Sequence, residues 1–79
     1  MRSIEIYAVK KHMYITPLDN REGYFIESKK FDFTVKYNHK PKGFLLTVRE
    51  KYKSDNETSI LFKTQKAVTD EIDKILEGL

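Results

Sequence analysis

The chain has 79 residues, enough for one domain (1–79), and no cysteine, so neither a disulfide framework nor a cysteine-based zinc site is open to it. Its 15 basic and 12 acidic side chains leave a net charge of +3. No stretch approaches the ~20 apolar residues of a bilayer span, and Glu5 interrupts any apolar leader at the start, so a cytoplasmic protein is expected.

In chain order, Ile4, Ile6 and Ala8 alternate with Glu5, Tyr7 and Val9, which reads as a first strand with apolar residues on both faces. Two partly apolar faces predict a homodimer formed through the N-terminal strands. Met13 and Ile15 alternate with Tyr14 and Thr16 until Pro17, which has no amide to donate to a ladder. Residues 19–23 (Asp-Asn-Arg-Glu-Gly) read as a turn, with Gly23 able to take positive φ. Residues 24–27 form the next predicted strand.

The alternation is clearest between 31 and 53. Phe31, Phe33, Val35 and Tyr37 share one face and Asp32, Thr34 and Lys36 the other. Past a loop over 38–43, Phe44, Leu46, Val48, Glu50 and Tyr52 alternate with Leu45, Thr47, Arg49, Lys51 and Lys53. Residues 54–57 have the composition of a hairpin turn, and a last strand covers 58–63. At Thr64 the period changes from two to 3.6: Val68, Ile72, Ile75, Leu76 and Leu79 line one stripe, which predicts an amphipathic helix over 65–77 capped by Thr64. The pattern predicts an α+β fold: about five antiparallel strands in a meander between residues 3 and 63, with one C-terminal helix packed on one face. A small β-barrel plugged by the helix is the alternative.

Enzyme signatures are missing. Three glycines leave no phosphate-cradling loop, no serine lies in a Gly-x-Ser-x-Gly context, and His12 and His39 have no acid or base partner nearby in sequence. No catalytic residue, metal or cofactor is expected. The positive signal is charge placement: residues 29–53 hold eight basic side chains against Asp32 and Glu50. Alternate strand residues stand ~6.6 Å apart, so Arg49, Lys51 and Lys53 are expected to follow a phosphate backbone as a row of point charges, joined by Lys36, Lys40 and Lys42. Tyr7, Tyr14, Tyr24 and Phe25 supply candidates for base stacking. The expected activity is nucleic-acid binding, RNA or DNA, through a basic sheet face. The alternative is a protein-binding inhibitor or accessory factor of phage or mobile-element type. It would dock on a host protein through the acidic helix residues Asp70, Glu71, Asp73 and Glu77.

A strand pair, then Phe62-Lys63-Thr64 leading into a helix with Ala67, resembles in outline the three-strand-plus-helix modules of integrase arm-binding domains. The resemblance covers about half the chain and implies a sheet whose open face enters a groove.

Overall fold

Period-two alternation over residues 14–62 folds into a single open sheet. The structure, a computed structural model, describes residues 1–19, 22–53 and 57–78. Helix α1 (Arg2–Lys10) comes first. Strands β1 (Tyr14–Pro17), β2 (Gly23–Glu27), β3 (Phe31–His39), β4 (Lys42–Glu50) and β5 (Glu57–Phe62) follow, and helix α2 (Gln65–Glu77) closes the chain. The strands pair antiparallel in sequence order. The sheet does not close, because β1 and β5 are its two edges; the barrel alternative is excluded. The molecule is a two-layer α+β fold with both helices on one sheet face.

Cross-strand register aligns the apolar set. Ile26 lies opposite Phe33, Phe33 opposite Val48, and Val35 opposite Leu46. Ile26, Phe33, Val35 and Leu46 are fully buried with Val68 and Ile72 of α2 and Ile4 and Ala8 of α1. Met13, Ile15, Phe31, Val48, Ile75 and Leu76 pack around them. Helix α2 starts where expected: Thr64, in extended conformation, accepts a hydrogen bond at Oγ1 from the Ala67 amide at 3.1 Å.

Residues 2–10 correct the expected first strand. Ile4 and Ala8 are inward under either period, but Ile6 is inward only in a strand, and here it is 51% exposed with Val9 at 66%. The segment ends in a Schellman closure. Met13 N–H donates to the Ala8 carbonyl and His12 N–H to the Val9 carbonyl, at 3.0 and 3.1 Å. His12 takes the left-handed conformation (φ 57°) that glycine usually fills. Residues 4–9, whose two partly apolar faces prompted the expected dimer, are therefore helical.

The helices run parallel. Gln65 Oε1, in the first turn of α2, accepts from the Ser3 and Ile4 amides of α1. Two turns on, Tyr7 donates its hydroxyl proton to Asp73, which Lys11 also reaches at 3.5 Å.

Two further readings change. Gly23 is not a positive-φ turn residue; it is buried in β2, where an added Cβ would fall 1.9 Å from the Val35 carbonyl oxygen. Strand β4 ends at Glu50, and Tyr52, at φ 67°, is fully exposed instead of continuing the apolar face. The predicted turn residues Ser54, Asp55 and Asn56, with Asn20, Arg21 and Leu79, lie outside the described residues.

Candidate nucleic-acid interface

The helices cover one face of the sheet and leave the other open. Register places Glu27, Asp32, Arg49 and Glu57 in one row across that face, Phe25, Thr34, Thr47 and Ser59 in the next, and Lys36, Leu45 and Leu61 in a third. Thr47 and Ser59 join their hydroxyls at 2.9 Å.

The six predicted basic residues do not form one row. Arg49 Nη2 sits 3.2 Å from Asp32 Oδ2, and Lys51 Nζ lies 3.6 Å from Asp32 Oδ1 and 3.8 Å from Glu27. Lys53, past the strand end, reaches Glu50 at 3.7 Å. Asp32 is only 8% exposed although it stands on the open face, because the two cationic side chains lie over it. Arg49 and Lys51 thus close an internal network across β2, β3 and β4. Both its charges and its geometry are turned toward carboxylates.

Lys36, Lys40 and Lys42 differ. Lys36 projects from β3, Lys40 lies in the β3–β4 turn, and Lys42 opens β4; all three are exposed. Among the described residues none has a carboxylate within ion-pairing distance. The turn that carries Lys40 is held by Asn38 Nδ2, which donates to the Pro41 carbonyl at 2.6 Å. Lys63, which sequence reasoning missed, is exposed one residue past β5 on the same end of the sheet. Its strand position was legible; only the order of strands reveals that it lies two strands from Lys36, about 10 Å across the sheet. Both helix N-termini lie at this end, but their Ser3, Ile4 and Ala67 amides are already taken by Gln65 and Thr64.

The stacking candidates also divide. Phe25 is half-buried on the open face, and Tyr14 is 80% exposed on the β1 edge. Tyr24 packs against the core on the helix side. Tyr7 belongs to the helix–helix seam, where burial, then the hydrogen bond to Asp73, then the charges of Asp73, Glu77 and Asp70 push its hydroxyl well above the usual tyrosine range. At the hairpin end, on the helix side of the sheet, Tyr37 meets His39 and Phe44 edge to face, with centroids 4.8 and 5.6 Å apart.

Of the acidic helix residues, Asp70, Asp73 and Glu77 share the α2 stripe near Tyr7. Asp70 pairs with Lys66 at 3.0 Å, Asp73 faces α1, Glu71 is half-buried, and Glu77 is exposed. Among the described residues, no group of three His, Cys, Asp or Glu side chains is placed to hold a metal ion, and no helix is long and apolar enough to cross a membrane. Compared with protein-family models, curated proteins and solved structures, the chain matches none.

Proposed function

We propose that the chain is a non-enzymatic nucleic-acid-binding module that grips the phosphate backbone at the hairpin end of its sheet. The observation that supports this most is the division of the cations: Arg49, Lys51 and Lys53 have carboxylate partners, whereas Lys36, Lys40 and Lys42 are exposed without one among the described residues. A side chain already engaged with Asp32 must leave that carboxylate to meet a phosphate. An unengaged lysine loses only water and side-chain freedom. Lys63 adds to the same end. Phosphate interactions of this kind position the protein and confer little sequence preference.

The test is a titration of labelled single-stranded DNA, duplex DNA and RNA at low and at physiological salt. Changing Lys36, Lys40 and Lys42 together to Gln should weaken binding to all sequences alike. It should also reduce the salt slope by about 0.7 to 0.9 for each phosphate that is no longer neutralised. The matching triple change at Arg49, Lys51 and Lys53 should leave the slope near its starting value. The opposite result would return the site to the central row. Absence of binding to all three polymers would replace this reading with docking on a partner protein, for which Glu71 and Glu77 are the acidic residues not tied to a side chain of α1 or to Lys66.

A further inference from the structure

We propose that strand β5 is a self-pairing edge, through which two copies of the chain join their sheets. The six residues Glu57–Phe62 form the last strand, exposed along nearly its whole length. It contains no proline, and its apolar residues point both ways: Ile60 on the helix side is 41% exposed and Leu61 on the open side 37%. A flat edge of this kind presents unpaired backbone amides and carbonyls to any strand that fits. The opposite edge, β1, is four residues long and ends at Pro17.

What selects a second copy is the order of residues along the edge. A two-fold axis perpendicular to the sheet keeps both pairs of helices on one side, and it requires that facing residues share a sheet face. Centred on Ile60, it sets Ile60 against its own equivalent, Ser59 against Leu61, Thr58 against Phe62, and Glu57 against Lys63. The last pair brings opposite charges together twice, on the open face. Centring on Ser59 sets Glu57 against Leu61, and centring on Leu61 sets Lys63 against Ser59. Neither joins the charges. On the helix side, the equivalent Ile60 side chains meet beside a groove of about 310 Å³ lined by Phe31, Val48, Thr58 and Ile75, with Glu50 as its one charged member. The product is a continuous ten-stranded antiparallel sheet, with the lysine-bearing hairpin ends of the two copies pointing in opposite directions.

Sedimentation across the micromolar range should show a species of twice the 9.4 kDa chain mass. Glu57→Lys and Lys63→Glu, each alone, oppose like charges at both ends of the junction and should weaken association about tenfold or more. The double change Glu57→Lys/Lys63→Glu restores complementarity and should restore the dimer. Both side chains are exposed, so a thermal melt monitored alongside should show all three variants folded. A single 9.4 kDa species at every concentration overturns the proposal. So does a dimer that survives both single changes, or one that the double change fails to recover. The sedimentation is run without nucleic acid, so its outcome does not depend on phosphate binding; Lys63 lies on both surfaces, and the nucleic-acid titration is therefore kept to variants that leave Glu57 and Lys63 unchanged.

Discussion

At the scale of single residues, Gly23 and Tyr7 carry constraints that their surroundings impose. Gly23 lies where β2 meets β3 so closely that a methyl group would overlap the Val35 carbonyl. Backbone, not a flexible side chain, is what would have to move. Gly23→Ala should therefore cost at least about 2 kcal/mol, read as a lower urea midpoint with unchanged slope. Tyr7 links α1 to α2 through Asp73. Its raised pKa means that the folded chain holds the phenol proton more tightly than the unfolded chain does. The associated stability is complete below the ordinary tyrosine value near 10 and is lost as pH rises beyond it. Tyr7→Phe should cost about 1.5 kcal/mol at neutral pH, the low end for a hydrogen bond to a charged group because Asp73 is 36% exposed. It should also flatten the alkaline decline, as measured by melting temperature from pH 8 to 11. An alkaline decline equal to that of the parent chain would assign it to other groups.

At the scale of elements, the strands and α2 were legible because in each a single period fitted the burial. Residues 31–37 had polar residues on one face and apolar residues on the other, and Thr64 marked the change to 3.6. Residues 2–10 were not legible. Over nine residues, Ile4 and Ala8 satisfy either period, and the usual stop signal, glycine, is replaced by His12. The pairing of Asp32 with Arg49 was present in the hairpin register, since a turn centred between Lys40 and Pro41 sets those residues opposite each other. Charge counting along one strand does not see across to the next. The network makes its own prediction. Arg49→Gln with Lys51→Gln leaves the Asp32 carboxylate buried without cations and should cost about 2 kcal/mol. Adding Asp32→Asn removes the stranded charge and should recover most of that loss in chemical denaturation.

Across the whole molecule, sheet and helices share one core, so damage on either layer should reach both. Phe33 of β3 and Ile72 of α2 are fully buried in the same cluster. Phe33→Ala should cost about 3–5 kcal/mol and Ile72→Ala about 2–5 kcal/mol, each lowering one cooperative transition instead of splitting it. Two separated transitions would show that the helices and the sheet melt independently. A domain of this size has little stability in reserve, so either change should leave a measurable unfolded population at room temperature.

The strand order has a consequence for the time course of assembly. Every strand pairs with its neighbour in sequence, so the sheet can zip up from short hairpins without waiting for distant parts of the chain. Helix α1 is the exception. Its amides, Tyr7 and Lys11 are held by Gln65 and Asp73, more than 60 residues away. A nine-residue helix has little persistence alone in water. During synthesis α1 leaves the ribosome before the strands, and its docking partner α2 follows them. Until α2 arrives, Ile4 and Ala8 have an incomplete seat, so α1, made ahead of the sheet, is locked in place only after it.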